Sequence, residues 1–206
     1  MQVNGHVYLI DDDPSIRDSL CRTLVEFNFS VETYHRAHDL LKISQFNSPA
    51  VVITDMRMPK ITGEALLIKL KERGVDVPVI VISGDCQAHE IINSFKLGAI
   101  DFLLKPFSIE QLLASIQKAI EQSSTQQSNQ SQNKSALERF SKLSPRESAV
   151  CELLVHGLKT HEIAKKLGIS EATLKIHKSR VYKKMQTKSI VELVRITDRL
   201  KIKHRT

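Results

Sequence analysis

VVITDMRMPKITG, residues 51–63, carries four β-prone residues, Val51 to Thr54, straight into a carboxylate, Asp55, and then into a loop with Pro59 and Gly63. A strand that is apolar without alternation is one buried on both faces, as in a parallel sheet covered by helices. The acid at its end must therefore meet water or a partner. Working outward, similar runs recur at VYLI (7–10), SVET (30–33), VIVI (79–82) and IDFLL (100–104). Between them apolar residues repeat every three or four positions, as in Ile16, Leu20, Leu24 and Phe27, then Leu66–Leu70, Ile91–Phe95 and Leu112–Ile120. Five strands alternating with five helices over residues 1–121 predict an α/β doubly wound parallel sheet, flavodoxin-like, in the order 2-1-3-4-5. SVET, the least apolar run, belongs at an edge.

In a sheet of that order, ligands sit beyond the carboxyl ends of the strands, where the order reverses between strands 1 and 3. Strand 1 ends in Asp11-Asp12-Asp13 and strand 3 in Asp55, so the topology brings at least three carboxylates together. Like charges at that range raise each other's pKa unless a cation intervenes. An all-oxygen, water-open set of this kind suits Mg²⁺, which keeps several waters and accepts a phosphate oxygen. Strand 4 ends in Ser83 and strand 5 is followed by Lys105, adding a hydroxyl and a cation. Phosphoryl transfer asks for positioning and charge neutralisation, and this set offers both, with Asp55 as the nucleophile. Asp13, directly before Pro14, also suits a helix cap.

The second half has another character. The chain has a net charge of +7, but residues 1–121 hold 12 Lys+Arg against 16 Asp+Glu (−4) and residues 122–206 hold 18 against 7 (+11). A strongly basic half points to a polyanionic partner. Residues 122–136, mostly QSSTQQSNQSQNKS, contain no large apolar side chain and predict a flexible linker. Beyond it, residues 137–206 show only helices. Ser144-Pro145-Arg146-Glu147 is a capping box with Pro at the first helical position, and Val150, Leu153 and Leu154 give its buried face. Thr160 is placed as the cap of a short helix stopped by Gly168, Ser170 caps a long one to about Gln186, and Ser189 opens the last. On the long helix, Leu174, Val181 and Met185 share one face. Lys175, Ile176, Ser179, Arg180 and Lys183 share the opposite one, with His177 at the margin. Two helices joined by the turn Leu167-Gly168-Ile169 form a helix-turn-helix whose second helix fits the major groove.

Cys21, Cys86 and Cys151 are far apart and lack metal-site spacing, as expected of reduced thiols in the cytosol. The N-terminus has only a four-residue apolar run before three acids, so neither a signal peptide nor a membrane span is expected.

DDD after strand 1, ITDMRMP, VISGD and DFLLKPF together resemble the signature stretches of a response-regulator receiver domain, over roughly residues 5–121. The resemblance implies that Asp55 accepts the phosphoryl group. It further implies that Asp12 and Asp55 ligate Mg²⁺ directly, Asp11 mostly through water, and Arg57 through its backbone carbonyl. By the same likeness Ser83 and Lys105 bind phosphoryl oxygens, Phe102 stands at the aromatic switch position, and Lys105-Pro106 is cis. SPRESAVCELLVHGL and THEIAKKLGISEATLKIHKSRVYKKM resemble the LuxR/NarL-type DNA-binding domain, and both halves in this order resemble FixJ-type regulators. That likeness puts Lys175, Ile176 and Ser179 at base edges, Arg180, Lys183 and His177 or Lys184 near phosphates, and the Thr173 hydroxyl near the DNA backbone.

The implied function is a cytoplasmic two-component regulator: phosphorylated by a sensor histidine kinase, dimerising, binding double-stranded promoter DNA and acting on RNA polymerase. The receiver would catalyse only its own phosphoryl transfer and dephosphorylation. An aspartyl-phosphate hydrolase would need a second Asp two residues after the nucleophile, where this chain has Arg57. A DNA-binding regulator whose receiver is purely structural stays open as the alternative.

Overall fold

The computed structural model describes residues 4–200 of the chain, which divides into two compact units, 1–127 and 128–206. In the first, β1 (His6–Ile10), β2 (Ser30–Tyr34), β3 (Ala50–Asp55), β4 (Val79–Ser83) and β5 (Asp101–Leu104) form one parallel sheet in the order β2-β1-β3-β4-β5. Alternation along each strand feeds two cores, because successive side chains leave opposite faces of a strand. Tyr8, Ile10, Val52 and Val81 join one cluster with Leu66, Leu67 and Leu70 of α3 (Gly63–Glu72). Val7, Leu9, Val51, Ile53, Ile80 and Ile82 join the other, with Leu24 of α1 (Pro14–Glu26) and Leu112 and Ile116 of α5 (Ile109–Ser141). Each such side chain, taken fully from water, contributes on the order of 1.5–3 kcal/mol. β2 is one edge of the sheet, and none of its residues is fully buried.

Of the five expected helices, the second, α2 (Ala37–Leu40), is a single turn; α4 is Ala88–Leu97. Gly63 is needed where α3 starts. A Cβ there would lie 2.9 Å from the Asp55 carbonyl oxygen and 3.1 Å from Met56 Cα, too close for any side chain. The Pro-Gly loop of the opening stretch is thus what lets a helix begin against the end of β3.

One expectation fails. Residues 122–136 are not an irregular linker but lie within α5. They contain neither Gly nor Pro, and a helix nucleated by the apolar turns before them extends at low cost. Ser124 and Thr125 hydroxyls donate to the carbonyls of Ile120 and Glu121, four residues back (both 2.9 Å). Ser123 is buried, its Oγ accepting the Ala50 amide at 3.0 Å, and Gln126 donates to Asp76 Oδ1 at 3.1 Å. Apolar content alone was the wrong criterion, since these anchors are polar. The division between units falls after Gln127, inside the helix, rather than at 121 and 137.

The second unit holds α6 (Pro145–Val155), α7 (Thr160–Leu167), α8 (Glu171–Met185) and α9 (Ile190–Arg199) around Val150, Cys151, Leu154, Ile163, Leu174, Val181, Met185 and Leu193. Cys151, not Leu153, completes the buried face of α6, and burial pushes its thiol up to about 11, leaving it unreactive. Thr160 is the first residue of α7 rather than its cap. The amide of Lys159, the residue before it, donates to Glu162 Oε2 at 2.6 Å. Gly168 ends α7 with φ +64°, in the left-handed region where a missing Cβ is an advantage. Among the described residues, no helix is long and apolar enough to cross a membrane.

Candidate functional site

The crevice at the carboxyl edge of the sheet is built by register. Ile10 pairs with Thr54, so Asp11 and Asp55, one residue on, leave neighbouring strands side by side. Lys105, just after β5, reaches across both: Nζ lies 2.7 Å from Asp55 Oδ1 and 3.1 Å from Asp11 Oδ2. The other carboxylate oxygens are also held. Asp11 Oδ1 accepts the Asp13 amide (2.9 Å), and Asp55 Oδ2 accepts the Arg57 amide (2.7 Å). Asp11 is buried, and loss of water raises its carboxyl pKa above the usual range despite the Asp13 amide and Lys105. Lys105 is shifted upward too, the direction that an ion pair gives a lysine. Burial alone would lower its pKa, but two carboxylates outweigh that and raise it. The two directions conflict over whether the Asp11 pair favours charge. The short contacts of one ammonium with two carboxylates decide for a charged Lys105, its main partner being the nearer Asp55.

The other expected residues are placed less uniformly. Asp12 is half-buried and makes no hydrogen bond or ion pair among the described residues, leaving its carboxylate available. Asp13 is taken up as the cap of α1, accepting the Ser15 and Ile16 amides. Ser83 is buried, but its hydroxyl donates to the Asp85 carbonyl (2.8 Å) rather than towards Asp55. Phe102 packs, partly buried, against the core cluster that contains Met56 and Met58. The Arg57 side chain turns outward, within 3.8 Å of Asp85 and 3.6 Å of Glu90 at the start of α4. Lys105-Pro106 is cis, as the resemblance implied.

Two carboxylates, Asp11 and Asp55, against one ammonium leave an all-oxygen set one negative charge in excess, and Asp12, next in sequence to Asp11, is unengaged. That donor set fits a hard divalent ion. Among the described residues no three His, Cys, Asp or Glu side chains form a ready cage. Mg²⁺ does not require one, since it uses one or two carboxylates and keeps waters.

In the second unit, Lys175, Ile176, Ser179 and Arg180 are exposed and, with Ala172, line a recess of about 480 Å³ on the outer face of α8. Ile176 is 54% exposed, an apolar group held in water. Lys183 is exposed on the same side. Thr173 is half-buried, its hydroxyl 2.9 Å from Ser170 Oγ in the helix cap. His177 is at the margin, with a buried Nδ1 lacking a partner. Lys178 sits 5.8 Å over the Tyr182 ring, its stem along the apolar surface. Arg139 and Lys142, which sequence reasoning passed over, lie beside Arg180 and Lys183 in a second recess. Their only signal was two cations just ahead of the capping box.

That capping box also holds the unit together. Glu147 is buried, accepts the Ser144 amide at 2.8 Å and meets Lys184 Nζ at 2.6 Å. Lys184 above all, then the Ser144 amide, lowers its pKa to about 2 from 4.5. A depressed folded-state pKa adds stability above the unfolded value and loses it as pH falls. Between about pH 5 and 2 the parent chain should lose more stability in the second unit than Glu147→Gln does. Urea titrations across that range check this, and parallel losses would contradict it.

Residues 7–117 match the response regulator receiver domain, and residues 141–197 match the bacterial regulatory proteins of the luxR family. The response regulator protein TodT of Pseudomonas putida is 35% identical over 195 residues, covering 95% of this chain and 86% of that one. The transcriptional regulatory protein FixJ of Bradyrhizobium diazoefficiens is 36% identical over 199 residues, covering 97% of both. Among solved structures, the response regulator StyR superposes with a TM-score of 0.81 at 30% identity, over 94% of this chain and 98% of that one. Full-length FixJ from B. japonicum gives 0.59 at 35%, over 98% and 99%.

Proposed function

Since this chain belongs to the two-component response regulators that join a receiver to a LuxR-type DNA-binding domain, we propose that phosphorylation of Asp55 controls sequence-specific DNA binding by α8. The observation that carries the proposal is Lys105, which bridges Asp55 and Asp11 in the switch-point crevice. A sensor histidine kinase would supply the phosphoryl group. The P–N bond to its imidazole breaks, a P–O bond to an Asp55 oxygen forms, and the freed imidazole takes a proton from solvent.

Asp12, Asp55, the Arg57 carbonyl and Asp11 are the residues that would hold Mg²⁺, and the ion, when bound, would offset charge on the phosphoryl oxygens. Lys105 already faces Asp55 and stays as the counter-charge to the anhydride. Ser83 would have to exchange the Asp85 carbonyl for a phosphoryl oxygen, which resets the loop between β4 and α4. Phe102 follows by packing further into the core. Unphosphorylated chains visit that state rarely, and the modification shifts the population. Ile92, Phe95 and Leu104, exposed on α4 and at the end of β5, suit pairing of two receivers. Paired chains would place two α8 helices at half-sites about 34–36 Å apart on promoter DNA. RNA polymerase is the partner next in line.

On DNA, Lys175, Ile176 and Ser179 face base edges, whereas Arg180 and Lys183, with His177 and Thr173 beside them, approach the backbone. Lys175→Ala should reduce discrimination between a selected duplex and a scrambled one by about 1–3 kcal/mol. Lys183→Ala should weaken binding to both duplexes alike and flatten the salt dependence by about one phosphate contact. Anisotropy titrations distinguish them, and identical profiles would mean that the groove face is wrongly assigned.

A further inference from the structure

A second cationic recess lies on the flank of α8, between it and the residues that precede and begin α6. It measures about 640 Å³ and is lined by Arg139, Lys142, Arg180, Lys183 and Lys184, with Glu147 as the one acid. Two of these cations have structural work. Lys184 neutralises Glu147 and also donates to the Lys142 carbonyl at 3.1 Å. Arg139 donates to the Met185 carbonyl at 2.9 Å and to Gln186 Oε1 at 3.3 Å, closing the end of α8. The side chains of Lys142, Arg180 and Lys183 make no hydrogen bond or ion pair among the described residues. With the acid neutralised, three unpaired cations face one hollow, a field that only an anion relieves.

We propose that this recess takes a DNA backbone phosphate flanking the groove read by α8, with Lys142 as a phosphate contact from the turn before α6. The inference rests on the DNA-reading role proposed for α8. Arg180 lines both this recess and the base-facing one, so an anion here sits at the edge of the read surface. None of the lining side chains is aromatic, which leaves no platform for a nucleotide base. Lysine suits a singly charged diester whose approach angle varies with sequence, being a compact point charge on a flexible stem. Lys184 fixes the backbone of Lys142 in place, so the contact is directed although its side chain is free.

The test uses the full-length chain and a fluorescent duplex, titrated from about 50 to 200 mM salt. Lys142→Ala should lower the salt slope by about 0.9, so that the fourfold rise in salt costs the variant about 3.5-fold less affinity than the parent. Lys142→Arg should restore the slope, and the preference for a selected over a scrambled duplex should stay at the parent value in both. If the parent binds duplex and Lys142→Ala keeps its slope, the inference is overturned. A parent chain that binds no duplex would remove the α8 reading and this site with it. Inorganic pyrophosphate at matched ionic strength provides the second arm. It should raise the melting midpoint of parent and Lys142→Ala equally or not at all. A saturable rise confined to the parent, with unchanged DNA slopes, would make this a free-anion site and overturn the assignment.

Discussion

Asp55→Asn will take up no phosphoryl group from acetyl phosphate and Mg²⁺, whereas the parent chain will be labelled at a single residue. An amide oxygen carries no full charge and forms no stable anhydride with a phosphoryl group, so the effect is all or none. The substitution is nearly isosteric, and the side-chain oxygen that accepts the Arg57 amide can be kept. Unchanged melting of the variant alongside absent labelling would therefore assign the loss to chemistry. Intact-mass spectrometry reads the added phosphoryl directly. Equal labelling of parent and variant would remove Asp55 as the acceptor, and the proposed switch with it.

Leu174→Ala should cost the second unit about 2–5 kcal/mol, the range for truncating a leucine in a core that cannot collapse around the gap. Leu174 is 1% exposed and packs among Val150, Ile163, Val181 and Leu193. For a unit of this size each kcal/mol moves the melting midpoint by roughly 4–8 °C, so a fall of at least about 8 °C is expected. Duplex binding should fail at temperatures where the parent still binds. Labelling of Asp55 should persist, because Leu174 lies outside the unit that carries the acids. A midpoint within 3 °C of the parent's (roughly under 1 kcal/mol by the same scaling) would show that α8 is not held by this core.

Much of the fold was legible because its causes are local and periodic. Val51–Thr54 and Val79–Ile82 have no polar alternation, which only a doubly covered sheet tolerates, and the strand order then fixed which acids meet. The contact of Lys105 with Asp55 follows from that order although 50 residues separate them. What stayed hidden depends on rotamers and on polar anchors. Nothing in VISGD tells that the Ser83 hydroxyl turns to the Asp85 carbonyl. The helix through 122–136 was missed because Ser123 and Gln126 fasten its start through hydrogen bonds, which apolar patterning does not register. Thr160 carries the right side chain for a cap, yet the helix starts on it. Lys142 is 38 positions from Arg180 and outside any motif, so only folding reveals that they share a hollow.

The coupling between the two units is tested most directly by the affinity of the full chain for a duplex selected from a random pool, measured with and without acetyl phosphate and Mg²⁺. The account predicts tighter binding for the phosphorylated parent and a single unresponsive curve for Asp55→Asn. Coincident curves for the parent in both states, with labelling of Asp55 verified by mass, would contradict it.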